Sequence, residues 1–251
     1  MSTTLPPRSE DDGTRLVPRR SGDHELTEDG ATRARILDLI IERGPITARE
    51  LAKHLDLTAA AVRRHLGTLE THGEITDYEG ASHTVRGRGR PARHFVATDE
   101  GRGGAANPYS ALASDALLQL ATIAGDEAVQ TFARNRFDTL AESYRPVVEA
   151  AGDDPLARAE ALAAALTKDG FAATVRPVGD GGIALQLCQG HCPVQAVAEN
   201  FPQLCEAETE AFSRLLGVHV QRLATLASGE HVCTTHVPLF IPPRRDSEGN
   251  S

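Results

Sequence analysis

Residues 47–73, TARELAKHLDLTAAAVRRHLGTLETHG, decide the fold of the N-terminal part of this 251-residue chain. Thr47 and Glu50 have the spacing of a capping box, which predicts the start of a short amphipathic helix. Asp56 follows that helix in a turn, and Thr58 then predicts the cap of a second, longer helix. Two helices joined by so short a turn are typical of a helix-turn-helix motif.

The flanking segments extend this motif to a complete domain. Before it, four apolar residues recur at helical spacing until Gly44-Pro45 stops the helix: Ile36, Leu37, Ile40 and Ile41. After it, residues 74–78 and 94–98 predict two short strands around a tip that is rich in Gly and Arg. Three short helices followed by a two-stranded hairpin predict a winged helix-turn-helix domain over residues 31–100.

The charge of the chain is divided unevenly between this domain and the rest. The whole chain carries a formal net charge of −9, which would repel a polyanion if it were spread evenly. Residues 32–98, however, hold 11 basic and eight acidic side chains, which gives +3 there and −12 elsewhere. We therefore expect the N-terminal domain to bind double-stranded DNA and the acidic part to serve another purpose.

Expected DNA contacts lie on the second helix of the motif and on the hairpin. In such motifs the second helix enters the major groove with its N-terminal residues toward the bases, and arginine binds guanine or phosphate. The candidates are Thr58, Ala60, Arg63, Arg64 and His65 on the helix, and Arg86, Arg88, Arg90 and Arg93 on the wing. An ordinary solvated helix face, and an RNA-binding loop, are the alternatives for these arginines. The layout resembles the winged helices of the ArsR and DeoR type bacterial regulators.

The remaining chain predicts two tails, a linker and a second domain. Residues 1–30 and 244–251 have few large apolar side chains and are expected to be disordered tails, with a linker at residues 101–108. Residues 109–243 predict a mainly helical domain with a small antiparallel sheet, so the fold class is α+β. Its predicted helices cover about 110–135 and on to 151, 155–168 and 202–216, and its strands cover 171–176, 183–187 and 232–240. No segment is apolar enough to span a membrane and no signal-peptide core is visible, so a cytoplasmic protein is expected.

All four cysteines fall in the second domain. Their spacing is Cys188-x3-Cys192-x12-Cys205-x27-Cys233. Structural zinc sites usually draw their ligands from close pairs such as C-x2-C, so a zinc ribbon fits this spacing poorly. Iron-sulfur clusters accept thiolates that are dispersed over separate elements. The spacing therefore favours an iron-sulfur cluster over structural zinc.

Three stretches make this indication specific. They are CPVQAVAENFPQLCE at residues 192–206, LLG at 215–217 and GEHVC at 229–233. Together with the winged helix they resemble the SufR family, bacterial repressors of the operon for iron-sulfur cluster assembly, over nearly the whole chain after the tail. The resemblance implies a homodimer with one [4Fe-4S] cluster per subunit, held by Cys192, Cys205 and Cys233. It also implies that the cluster-bound form represses by binding an inverted-repeat operator.

The sequence leaves the fourth iron ligand open. Some members of that family have a further cysteine between the second and the third, whereas this chain has His219 near that place. His219 is the first candidate because imidazole also binds iron, and Cys188 is the second. Cys188 ends an apolar stretch, where a buried thiol that packs as a small hydrophobe is the ordinary interpretation. A small thiol or a water molecule is a further possibility.

The sequence thus predicts a cluster-dependent repressor that is relieved when the cluster is lost or damaged. A winged-helix repressor that senses zinc or thiol oxidation is the alternative. Catalysis is not expected, because no phosphate loop, Ser-His-Asp order or paired-carboxylate motif accompanies the cysteines. The expected dimer face consists of residues 161–166 and 212–223.

Overall fold

A computed structural model describes residues 28–78, 92–103, 108–179 and 183–239, which build two hydrophobic cores. The N-terminal core is formed by three helices and three short strands. In chain order they are α1 (Glu28–Arg43), β1 (Ile46–Thr47), α2 (Ala48–Leu55), α3 (Ala59–Thr71), β2 (Ile75–Asp77) and β3 (His94–Ala97). The structure confirms the order of the helix-turn-helix motif and of the strands that follow it.

Local caps fix the turns of this domain. The Thr47 hydroxyl accepts the N–H of Glu50 at 3.3 Å, and the Glu50 carboxylate accepts the N–H of Thr47 at 2.8 Å, which completes the capping box of α2. Asp56 adopts a left-handed conformation, with φ of 55°, that ends α2 and turns the chain. The Thr58 hydroxyl then accepts the N–H of Ala61 at 3.1 Å and starts α3. The caps therefore set the relative direction of the two helices.

The sheet of this domain has one strand more than the sequence predicts. Its order is β1-β3-β2 with antiparallel pairing, because Ile46 and Thr47 pair with β3. A two-residue strand has too little periodicity to be visible in a sequence. The buried core behind the sheet includes Ile36, Ile40, Leu51, Val62, Leu66, Leu69, Ile75 and Phe95.

The second domain is mainly helical and has a small antiparallel sheet, as the sequence predicts. Its helices are α4 (Pro108–Ala124), α5 (Asp126–Ala150), α6 (Pro155–Lys168), α7 (Gln195–Ala198) and α8 (Gln203–Leu216). Its strands are β4 (Ala173–Val178), β5 (Ala184–Gln189), β6 (Gln221–Ala224) and β7 (Cys233–Pro238), and a 3-10 helix covers Leu226–Ser228. None of the described helices is long and apolar enough to cross a bilayer.

The sheet of the second domain, in the order β4-β5-β7-β6, has two different faces. The face toward the helices carries Leu185, Leu187 and Val237. Gln189 and Cys233 lie opposite each other in the register and share that face, because alternate residues of a strand point the same way. Cys188 and its neighbour Thr234 point to the opposite face.

One helix boundary and one strand of this domain differ from the sequence prediction. The break expected near Asn135 lies at Gly125, whose φ of 81° separates α4 from α5. Gly217 ends α8 in a left-handed conformation, so the end of the helix predicted over 202–216 is confirmed, and strand β6 follows in a segment where the sequence predicts no strand. The expected dimer face is corrected as well, since residues 161–166 and 212–216 are mostly buried in the core of their own domain.

The two domains meet where α1 ends. The Arg176 guanidinium of β4 donates to the carbonyl oxygens of Arg43 at 2.8 Å and Gly44 at 3.3 Å. The Thr174 hydroxyl donates to the carbonyl oxygen of Glu42 at 3.4 Å. The outer face of the second sheet is thus attached to the backbone of the N-terminal domain.

Candidate functional site

The N-terminal turn of α3 presents an exposed surface without bulky side chains. Thr58 caps the helix, Ala60 is exposed beside it, and the exposed Arg63 lies one turn further on the same side. The Thr58 oxygen accepts a hydrogen bond from the backbone, while its hydroxyl proton can still be donated to a phosphate. In a helix-turn-helix domain this end of the helix faces the major groove.

The two arginines of α3 have different surroundings. Arg64 pairs with Asp29 of α1, although 69% of its side chain remains exposed. Arg63 is exposed, and within the described parts of the chain it forms no ion pair. Arg63 is therefore the arginine best placed to bind guanine or phosphate, whereas Arg64 must first separate from Asp29.

His65 is placed differently from the sequence expectation. Its side chain is buried, with 4% of the residue exposed, and its Nε2 lies 3.8 Å from the Asp29 carboxylate. A side chain on the core side of α3 does not present a ring nitrogen to a phosphate. The structure therefore argues against a DNA contact by His65.

The wing is described only at its base. Arg86, Arg88 and Arg90 lie outside the described residues. Arg93 pairs with Asp77 at 2.7 Å and with Glu70, and its guanidinium lies 4.9 Å above the ring of Phe95. Hydrogen bonds to Asp77 and Glu70 raise the pKa of Arg93. Arg93 thus fixes the hairpin to α3 in this structure, rather than being free for a phosphate.

The three cysteines that the sequence singled out come together beneath the second sheet. Cys192 lies in the turn after β5, Cys205 lies in the first turn of α8, and Cys233 begins β7. All are free thiols, and Cys192 and Cys205 pack partly against the core of the domain. The structure thereby joins segments that are up to 41 positions apart in the printed sequence.

The thiols interact electrostatically. Burial, then the Glu208 carboxylate, raises the pKa of Cys192, and Cys233 and Cys205 raise it further. Burial and Glu208 likewise raise the pKa of Cys205 to about 11. Burial raises the pKa of Cys233, although Arg222 and the N–H of Leu226 oppose it; that N–H donates to the Cys233 sulfur at 3.2 Å. At neutral pH the metal-free site therefore holds neutral thiols.

A buried ion pair lies next to these thiols. The Arg222 guanidinium of β6 pairs with the Glu208 carboxylate of α8, and it also donates to the side-chain oxygens of Gln189 at 2.9 Å and Thr209 at 3.2 Å. The Gln189 amide donates in turn to Glu208 at 3.1 Å. This network connects α8 with β5 and β6, and so it holds together the elements that carry the cysteines.

The sequence does not identify Glu208 and Arg222 as site residues. A glutamate on an amphipathic helix is usually exposed, and Arg222 lies on strand β6, which the sequence does not predict. One signal was available: Glu208 follows Cys205 by three positions, so the two share one face of α8. A polar residue on the apolar side of a helix, one turn from a candidate ligand, marks a site residue.

A groove of about 920 Å³ leads from the surface to Cys205. It lies between α8 and β6, and its lining includes Thr209, His219 and Arg222. The exposed His219 thus shares a groove with Cys205, which keeps it a candidate for the fourth ligand. Small molecules can reach Cys205 through this opening.

Cys188 lies apart from the other three cysteines. It is buried on the opposite face of the sheet, and its pKa is raised by burial and lowered by Arg176 and Thr234, with no influence from the other thiols. Arg176 belongs to the contact with α1. Cys188 therefore packs at the domain contact, and the geometry does not favour it as a fourth ligand.

Within the four described ranges, no three His, Cys, Asp or Glu side chains are grouped to hold one metal ion. In a cluster each thiolate binds a different iron atom, so the ligands surround a larger volume than those of a single ion.

Comparison with known proteins concerns the N-terminal domain. A family model described as a helix-turn-helix domain matches residues 28–73, from the start of α1 to the turn after α3. Neither the curated proteins nor the solved structures contain a match to the chain. The match and the geometry of α2, α3 and the hairpin agree, so residues 28–73 belong to a DNA-binding domain of the winged-helix class. They support a transcription regulator that binds double-stranded DNA, a role that needs no catalysis.

Proposed function

We propose that this chain is an iron-sulfur-cluster-dependent repressor of the operon for iron-sulfur cluster assembly, similar to the SufR family. The observation that carries the proposal is the buried group of Cys192, Cys205 and Cys233, located in a chain whose other domain binds DNA. The spacing and the flanking residues of these cysteines support the same family.

The donor set fits such a cluster. Three soft thiols are the ligands that iron-sulfur clusters favour, and ligation requires them to lose their protons. Arg222 and Arg102 both lower the pKa of Cys233 and so compensate part of the negative charge that three thiolates bring into a buried site. When bound, a cluster supplies an iron- and oxidant-sensitive link among the three thiolates. The groove beside Cys205 gives oxidants access to that link.

The positions of the three cysteines indicate how ligation changes the structure of the domain. Cys192, Cys205 and Cys233 lie on three separate elements, and the side-chain network of Glu208, Arg222 and Gln189 connects the elements around them. Ligation restrains these elements further, whereas its loss leaves them free to shift. The two states therefore differ in the positions of the segments before Cys192 and Cys233, and a population shift between them changes DNA binding.

The proposal includes a homodimer. Helix α4 leaves Leu112, Leu118 and Ile123 exposed, and Asp115 is the single charged residue in its 17 positions. Exposed apolar surface of this kind marks protein contacts. A second copy of the chain is the proposed occupant, because an inverted-repeat operator requires two recognition helices related by a two-fold axis.

One experiment tests the proposal directly. The protein is purified without oxygen, its iron, zinc and acid-labile sulfide are measured, and a duplex is selected from a randomised DNA pool. The dissociation constant for that duplex is then compared for loaded protein and for protein stripped with a chelator. We expect iron and sulfide in equal amounts and tighter binding by the loaded form. Colourless, iron-free protein that binds fully would contradict the proposal.

The alternative, a repressor that senses zinc or thiol oxidation, gives different results in the same experiment. All four thiols are free and three of them are neighbours, which is also what a thiol switch requires. Zinc without sulfide, or a change in DNA binding with thiol oxidation alone, would favour this alternative over the cluster.

A further inference from the structure

Arg102 occupies a position between the two domains that its sequence context does not indicate. It follows β3 in what the sequence predicts to be a linker, yet only 9% of the residue is exposed. Its Nε donates to the carbonyl oxygen of Gly190 at 3.0 Å, and its second guanidinium nitrogen donates to that of His231 at 2.6 Å. The remaining nitrogen pairs with Asp99 at 3.2 Å. All three nitrogens of the guanidinium are thus bound.

The two carbonyl groups that accept hydrogen bonds from Arg102 each lie shortly before a cysteine of the site. Gly190 precedes Cys192 by two residues, and His231 precedes Cys233 by two residues. One side chain therefore contacts both backbone segments that lead into these two cysteines. Because a guanidinium is a planar and rigid fork, it can satisfy both carbonyls only at one relative position of the two segments.

Further contacts between the domains occur at the same two segments. A Cβ atom added to Gly190 would lie 1.7 Å from the carbonyl oxygen of Ile41, so this glycine packs directly on the backbone of α1. The rings of Tyr78, after β2, and His231 lie with their centroids 4.7 Å apart. The DNA-binding domain thus touches the second domain at the residues that flank the cysteines.

The turn that carries Arg102 is attached to the end of the recognition helix. The Thr98 hydroxyl donates to the carbonyl oxygen of Gly73 at 2.6 Å, and the Thr98 N–H donates to that of Glu74 at 3.1 Å. A Cβ atom added to Gly101 would lie 2.0 Å from the same Glu74 oxygen. A movement of Arg102 is therefore transmitted to the residues that directly follow α3.

We infer that Arg102 is the positioning residue that couples the cysteine site to the recognition helix. The inference rests on the proposed function and names its regulation. Ligation at Cys192 and Cys233 sets the distance between the carbonyls of Gly190 and His231. A buried guanidinium must keep its acceptors, so the turn at residues 98–102 follows these carbonyls and shifts α3 with them.

The test compares Arg102 with Arg176, which also joins the two domains. Full-length R102Q, R102K and R176Q are each purified without oxygen, and their iron and sulfide contents are measured. The dissociation constant for the selected duplex is determined for loaded and stripped protein, and the ratio of the two constants is the readout. Arg176 is the matched control because it also donates to backbone carbonyls across the domain contact, but not at the segments before Cys192 and Cys233.

We expect R102Q to bind less iron and sulfide than the wild type, because it removes a positive charge that lowers the pKa of Cys233. Its loaded fraction should lose the difference in DNA binding between loaded and stripped protein, a fall of at least about fivefold in the ratio of the two dissociation constants. R102K keeps the positive charge but lacks the planar guanidinium. Its ratio of dissociation constants should therefore lie between those of R102Q and the wild type. R176Q should keep the wild-type ratio. If R102Q binds no iron and sulfide, the ratio measured for R102K alone tests the inference.

A wild-type ratio in the loaded R102 variants would overturn the coupling role, and so would an equal loss in R176Q. Failure of the proposed function gives a different result: wild-type protein that contains no iron and sulfide, or that binds DNA equally in both states. The two failures are therefore distinguishable. The circular dichroism of each variant, measured on the same samples, shows whether the fold is retained.

Discussion

Arg222 and Glu208 form a buried ion pair beside three cysteine thiols. The pair joins β6 to α8, and the nitrogens of Arg222 also reach Gln189 and Thr209. Two opposite charges inside a domain are held there only when each satisfies the other. The pair therefore stabilises the cysteine site before any metal is bound, and it places a positive group close to Cys233 and Cys205.

Removal of one partner of this ion pair should strongly destabilise the metal-free, reduced protein. R222M leaves the Glu208 carboxylate buried without its cation, and we expect it to lower the free energy of unfolding by roughly 3 to 5 kcal/mol. The double variant E208L/R222M removes both charges and should lose less than R222M alone. Urea denaturation followed by circular dichroism measures both. A double variant that is as unstable as R222M, or more so, would contradict this account.

Substitution of any one of the three neighbouring cysteines should lower the iron and sulfide content far more than substitution of Cys188. We expect C192S, C205S and C233S each to lower iron and sulfide per chain to a small fraction of the wild-type value, because each removes a thiolate from the same buried group. C188S is the matched control, since Cys188 lies on the other face of the sheet. Iron and sulfide analysis of anaerobic protein checks this. Equal loss in C188S would mean that the sheet rearranges around the cluster.

Local signals in the sequence are sufficient for most of the N-terminal domain. The capping box of Thr47 and Glu50 and the cap at Thr58 depend on neighbours three residues away, and the structure confirms both. Strand β1 is not visible in the sequence because its two residues gain their role from pairing with β3, far along the chain. His65 shows the same limit: which side of α3 it occupies depends on how α1 packs, and Asp29 of α1 lies beside it.

The cysteine site is only partly visible in the sequence for the same reason. Spacing and motif identify Cys192, Cys205 and Cys233, since those are properties of the chain itself. The neighbours Glu208 and Arg222 depend on the fold of β6 and on the helix end at Gly217. Arg102 is harder still to identify from the sequence, because a residue in a predicted linker is expected to be exposed.

The two arginines of α3 should contribute differently to DNA binding. Arg63 is exposed and has no ion pair among the described residues, so R63A should weaken binding by about 1 to 3 kcal/mol if it contacts a base, and lower the salt slope by about 1 if it contacts a phosphate. R64A should cost less, because Arg64 must first give up Asp29. Fluorescence anisotropy with the selected duplex at several salt concentrations measures both. A larger effect of R64A would reverse the assignment.

The proposed dimer face on α4 can be tested with two leucines of equal exposure. Leu118 of α4 and Leu223 of β6 are both 57% exposed, so neither substitution by glutamate should disturb the core of its own domain. We expect L118E to convert a dimer into monomers, because it buries an unpaired charge at the apolar contact, and L223E to leave the dimer intact. Sedimentation velocity of the full chain distinguishes the two. Dissociation by L223E alone would place the contact at the edge strand instead.

The raised pKa of Cys205 gives the metal-free protein a defined pH dependence. Burial and Glu208 raise this pKa from 9.0 to about 11, so between those values the unfolded chain carries a thiolate while the folded chain keeps a neutral thiol. The stabilising contribution is therefore fully present below pH 9 and is lost as the pH rises toward 11. We expect the free energy of unfolding of reduced, metal-free wild type to fall more steeply than that of C205S over this window. Urea denaturation at a series of pH values, under a reductant, gives both slopes. Parallel slopes would mean that the thiol is already hydrated in the folded state, with the groove beside it filled by water rather than closed by packing.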